Sequence, residues 1–294
     1  MTTVFRKAVF ARDGRLRTGW CILLFVLLLN LLGIALTPVI RAWPKGWQGW
    51  LPGRWFEVGL ALLVSWACLR LQCKPLAALG LRWDRTFLKE LVLGTLGGVA
   101  LIGLMALLIR GADAFHWVRN PGVGLVDLLR SAWFFLAVAA FEEVIFRGYP
   151  FQRAVDGLGT PTTLILSAAV FALAHWWNPG MHGATKAWAT LNIGLAAILL
   201  GFCYLRTRSL ALPIGVHLGW NWAQGSLLGF GVSGTSFAQS AWEPVSHGRP
   251  EWLTGGAFGL EASLPGALVC TAAILFLWRG QGRVSGGAST ASAS

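Results

Sequence analysis

Charge is what this sequence has least of. Asp, Glu, Lys and Arg together make up 12% of the 294 residues, against about a quarter in an ordinary soluble domain. Acidic residues are scarcer still, 12 against 24 Lys and Arg, which leaves a net charge of +12. With 55% hydrophobic residues and a mean hydropathy of +0.62, the chain has too little polar surface to coat a water-soluble fold, and the composition predicts a polytopic membrane protein. Tyrosine is nearly missing, at two residues against 17 tryptophans, and indole rings favour the headgroup region of a bilayer. The five cysteines, Cys21, Cys68, Cys73, Cys203 and Cys270, lie in or at the ends of apolar runs and form no Cys-x-x-Cys pair, so neither a disulfide framework nor a zinc knuckle is encoded. Basic residues are scattered between apolar runs and form no single patch, so the net charge reads as a determinant of topology and not as a nucleic-acid surface.

What is present is a series of hydrophobic runs. At about 20 residues per crossing, they predict an all-α, polytopic integral membrane helix bundle with about eight transmembrane helices, at roughly 20–40, 55–72, 88–109, 125–146, 161–178, 188–206, 209–229 and 263–279. The first run follows Arg6, Lys7, Arg12, Arg15 and Arg17 but is long enough to span and lacks a clear small-x-small cleavage site, so it reads as an uncleaved span. Gly94 and Gly98 in the third have the small-x-x-x-small spacing that lets a neighbouring helix approach closely. With the N-terminus inside, 16 of the 24 basic residues fall on the cytoplasmic side, and the positive-inside rule then puts both termini in the cytoplasm. The chain divides into an N-terminal three-helix region (1–124), a core of helices four to seven (125–229), an outer loop with the last helix (230–279) and a tail (280–294) whose small polar residues predict disorder. The loop at 230–262 reads as a connector in preference to a lid. No internal repeat and no second domain stand out.

Polar side chains inside the runs are the informative ones. An ionisable group near the bilayer centre costs about 2.5–3.5 kcal/mol on insertion scales and is usually kept for a task. Glu142-Glu143-Val-Ile-Phe-Arg147 follows directly on an apolar stretch; Phe171-Ala-Leu-Ala-His175 ends another; His217-Leu-Gly-Trp-Asn221 lies in a third. Positions four apart share a helix face, so His217 and Asn221 can point at one spot. Each has a plainer reading: Glu143 with Arg147 as an interfacial ion pair, His175 beside Trp176 and Trp177 as part of an aromatic belt, and His217, Asn221, Asn192 and Gln224 as hydrogen-bonding glue between helices. Their joint occurrence on three helices favours chemistry. No Ser or Cys stands in a nucleophile motif, no glycine-rich phosphate loop follows a strand, and no His-Glu-x-x-His pair occurs. A carboxylate with histidines activates water, either as general base or around a divalent metal, and His and Asn can donate to an oxyanion. Hydrolysis of an amide within the membrane is the economical reading. A transporter is the competing class, since intramembrane charges also mark ion paths, but transporters commonly carry internal repeats.

In this order and on successive hydrophobic helices, Glu142-Glu143-x-x-x-Arg147, Phe171-x-x-x-His175 and His217-x-x-x-Asn221 resemble the CPBP family of intramembrane proteases, which includes type II CAAX prenyl endoproteases and bacteriocin-processing enzymes. The resemblance covers about residues 125–229, and its eight-helix layout agrees with the runs counted above. It implies that Glu142, with His175, holds and deprotonates the attacking water, that His217 and Asn221 stabilise the oxyanion, and that Glu143 and Arg147 support the site, Arg147 through a forked ion pair. If a metal takes part, zinc on Glu142, His175 and His217 is the set implied; glutamate–histidine activation of water needs none. The implied partner is a membrane-embedded or lipidated protein or peptide: a prenylated CAAX protein, a bacteriocin-like leader, or the membrane end of a sorted surface protein. A family member acting as a non-proteolytic scaffold or immunity factor is the remaining alternative, and a bacterial inner membrane the expected location. One geometric condition attaches to this reading. His175 lies about 12 residues, ~18 Å, into its helix, whereas His217 lies near the start of its own, so the site closes only if the fourth helix tilts or continues past Arg147.

Overall fold

A computed structural model describes residues 16–42, 51–236 and 239–285 of the chain. Arg6, Lys7, Arg12 and Arg15, counted above toward orientation, lie outside these residues, as does 286–294 of the tail. Each of the eight expected hydrophobic runs is helical: α1 (Thr18–Arg41), α2 (Leu51–Arg70), α3 (Arg85–Gly111), α4 (Leu125–Phe146), then α6 (Thr160–Ala174), α7 (Gly183–Thr207), α8 (Ala211–Trp222) and α9 (Leu264–Ser285). Three of them, α1, α3 and α7, are long and apolar enough to cross a membrane. Large apolar side chains face outward along the bundle, among them Leu31, Ile34, Leu96, Ile165 and Phe276, as expected where lipid replaces water. Trp83 and Trp177 stand exposed just beyond helix ends.

Three elements depart from the sequence reading. The fourth helix does not continue past Arg147: it ends at Phe146, and a separate short helix, α5 (Tyr149–Leu158), begins after Gly148. Gly148 N–H turns back to Glu143 O at 3.0 Å, and a Cβ there would run into Val144 O. Tyr149, Phe151 and Gln152 of α5 are buried while Arg153 pairs outward with Asp156 at 2.7 Å. Second, the 230–262 stretch is more than a connector. Its strand β2 (Trp242–Ser246) pairs antiparallel with β1 (Phe115–Arg119), in the register Trp117 opposite Pro244. Five-residue strands give too little alternation to be seen in sequence, and Pro244 argues against a strand except at an edge. Third, α9 runs to Ser285, into the stretch expected to be disordered from residue 280.

The closest helix crossing joins α3 to α8. Gly94 and Gly98 of α3 meet Gly215 and Gly219 of α8 backbone to backbone; a Cβ on Gly94 would lie 2.5 Å from Leu212 O and one on Gly215 would strike Leu91 O. Residues two apart on a helix differ by about 200°. Turning Gly215 and Gly219 to α3 therefore turns His217 and Asn221 the other way, toward α4 and α7.

Candidate active site

Glu142 and Glu143 leave α4 on adjacent faces. The Glu143 side chain is 0% exposed, that of Glu142 22%. Because the helix stops at Phe146, Arg147 becomes its cap, with its N–H on Glu143 O at 2.8 Å. Its fully buried guanidinium folds back over the same turn. Nη1 donates to Glu143 Oε1 at 3.1 Å, and Nη2 to Ala197 O on α7 at 3.2 Å. The two prongs thus go to two helices instead of forking one carboxylate. Beneath them, the guanidinium carbon sits 4.5 Å from the ring centre of Phe171, a cation–π contact in a water-poor setting. Phe171 in turn lies 4.7 Å, centre to centre, from His175, so the first two motifs are stacked together.

The histidines are anchored alike, through Nδ1. That of His175, the cap of α6, is 2.7 Å from Phe171 O. A carbonyl only accepts, so His175 carries its proton on Nδ1 and leaves an Nε2 lone pair free. His217 Nδ1 lies 2.8 Å from Glu143 Oε1, the oxygen that also holds Arg147. His217 Nε2 is then directed to Glu142, 3.8 Å from Oε2. A carboxylate behind a histidine stabilises the imidazolium that forms when the other nitrogen takes a proton. His217 is thereby suited to present Nε2–H as a donor, and His175 to accept.

His175, His217 and Asn221 line one cavity of ≈ 40 Å³, with Phe171, Asn192, Ser233 and Glu261. A water needs about 10–15 Å³ measured this way, so the space admits the attacking molecule. No hydrogen bond or ion pair joins Glu142 to His175 directly; Glu142 Oε2 is buried without a hydrogen-bond partner among the described residues. The α6 helix ends early enough, at Ala174, that His175 and His217 reach the same cavity without a longer fourth helix. Among the described residues no three His, Cys, Asp or Glu groups are placed to share a zinc ion.

Residues 124–223 match the Rce1-like family. The matching model is described as type II CAAX prenyl endopeptidase Rce1-like, which bears out the resemblance drawn from the three motifs. No curated protein and no solved structure matches the chain. The matched segment holds Glu142, Glu143, Arg147, His175, His217 and Asn221, and the long apolar helices α1, α3 and α7 point to an integral membrane protein. It stops short of Ser233 and Glu261, which line the same cavity and which the motif reading misses. Burial pushes the Glu261 carboxyl above the ordinary glutamate value, against the hydrogen bonds from Trp220 and Ser233 that favour the ionised form. The signal that singles out Glu142, an acid in an apolar context, is present there too, in Phe258-Gly-Leu-Glu-Ala262. Asn192 and Gln224 do serve as glue, but to loop backbone and not to another helix: Asn192 Nδ2 donates to Ser263 O at 2.7 Å and Gln224 Nε2 to Gly231 O at 2.5 Å.

Proposed function

We propose that this chain is an intramembrane endopeptidase that hydrolyses a peptide bond of a lipidated or membrane-embedded protein. It would be an eight-span protein with both termini cytoplasmic, in a bacterial inner membrane. The observation that carries the reading is the convergence of His175, His217 and Asn221 on one water-sized cavity, with Glu142 beside His217. Water held between Glu142 and the bare Nε2 of His175 gives its proton to Glu142 while its oxygen attacks the carbonyl carbon. The resulting oxyanion takes hydrogen bonds from His217 Nε2–H and the Asn221 amide. On collapse the C–N bond breaks, and Glu142 returns the proton to the leaving amine. Glu143 and Arg147 touch no reacting atom on this scheme; they orient His217.

The test is cleavage by purified wild type and Glu142→Gln in lipid, against prenylated C-terminal peptides and leader-type peptides, with and without a chelator. Loss of the carboxylate lowers the rate by about 10²–10⁴-fold in a protein that still folds. Chelation leaves the wild-type rate unchanged, because water is activated without an ion. Full activity in folded Glu142→Gln would refute the role given to that residue.

A further inference from the structure

Glu261 is a buried acid that the water chemistry does not use, and its hydrogen bonds form a strap across the cavity. On one side Asn178, three residues beyond His175, donates Nδ2–H to Ser233 O at 2.9 Å. Ser233 N–H donates to Glu261 Oε1. The other carboxylate oxygen, Oε2, accepts from Trp220 Nε1 at 3.1 Å, and Trp220 is the residue before Asn221 and three after His217. Three side chains, Asn178, Glu261 and Trp220, and one turn of backbone thus connect the segment that carries His175 to the helix that carries the other two cavity groups. The turn itself is tight. Val232 and Thr235 are bridged, Ser233 adopts a positive φ of 48°, and Gly234 N–H is held by Phe258 O at 2.9 Å.

The chemistry of the strap calls for a carboxylate. Two N–H donors, one from backbone and one from an indole, converge on a single side chain, and a carboxylate, with one acceptor oxygen for each and no donor of its own, satisfies both. Both oxygens being engaged, Glu261 is not free to take the substrate's proton or to bind a ligand of its own. What it can do is set a distance. We propose that Glu261 is a positioning residue of the hydrolytic site: by holding Ser233 against Trp220 it fixes the separation of His175 from His217 and Asn221, across which the water and the peptide carbonyl must fit. The proposal rests on the proteolytic reading given above. Misplacement of reacting groups by 1 Å can cost about 100-fold, so a strap of this kind has a large lever on rate.

The full-length purified chain provides the test, as Glu261→Gln, Trp220→Phe and the double variant. In Glu261→Gln the amide oxygen keeps the backbone N–H of Ser233 and the amide nitrogen confronts the Trp220 N–H, donor against donor. The expected result is a fall in kcat of about 10- to 100-fold, with KM and the unfolding temperature close to wild type. Adding Trp220→Phe removes the opposing donor and restores most of the lost kcat, although Trp220→Phe alone lowers it. A Glu261→Gln protein that loses folded yield but keeps wild-type kcat per folded molecule, or a double variant whose losses simply multiply, overturns the proposal. Hydrogen exchange on Glu261→Ala reads the strap without any cleavage: residues 232–235 and 175–180 lose protection together, whereas unchanged protection at 175–180 overturns it. Failure of wild type to cleave any peptide counts against the proteolytic reading and is seen before any variant is compared, while the exchange result still decides the strap.

Discussion

At the scale of single residues, the centre of the site is one carboxylate oxygen. Glu143 Oε1 receives both Arg147 Nη1 and His217 Nδ1, so the ion pair with Arg147 and the orientation of the histidine share one atom. Removing the cation leaves a buried, uncompensated negative charge, an effect of about 3–5 kcal/mol. Arg147→Ala is therefore expected to lower unfolding stability by about that amount in a denaturation series in detergent. Arg147→Lys recovers little of it, since a lysine cannot reach Glu143 and the Ala197 carbonyl together while stacking on Phe171. Wild-type stability in Arg147→Ala would show that the pair is not what holds the turn. Glu142, Glu143, Arg147, His175, His217 and Asn221 are legible in the sequence because polar groups stand out against an apolar background and four-residue spacing gives them a common face. Glu261 stands in the same background but has no polar neighbour four residues away. Its partners, Ser233 and Trp220, come from distant parts of the chain, and no periodicity reports them.

At the scale of elements, hydrophobic length alone predicts eight helices, and the structure places one on each. Their ends are less legible, because local geometry decides them: Gly148 stops α4 where the apolar pattern would let it run on. The outer loop is least legible. Its contribution depends on two short strands that lie far apart in the chain, as Phe115 opposite Ser246 shows. By contrast, the α3–α8 crossing is written in its glycines. Gly98→Val puts a branched side chain against Val216 O and Trp220 N and is expected to push α8 outward, with loss of folded protein on size-exclusion chromatography and of any residual cleavage. Gly97→Ala, where a Cβ meets nothing within 4 Å, is expected to be tolerated. Equal behaviour of the two variants would mean that close approach of these helices is not required.

At the scale of the whole molecule, the surplus of basic residues on one side predicts the orientation. A fluorescent reporter that matures only in the cytoplasm is expected to shine when fused at the C-terminus. A reporter that is active only outside is expected to work when inserted at the open turn of Gly248. The opposite pattern would invert the topology and put the β1–β2 pair on the inner side. One helix that frames the cavity is short. With 15 residues in α6, it reaches ~22 Å at 1.5 Å per residue, against a hydrocarbon thickness of about 30 Å. On the eight-span proposal, lipids beside its outward Ile165 and Val170 compress to cover its ends, at a cost of a fraction of a kcal/mol per Å of mismatch. The supply of water and substrate to the site then becomes a function of the acyl-chain length of its surroundings.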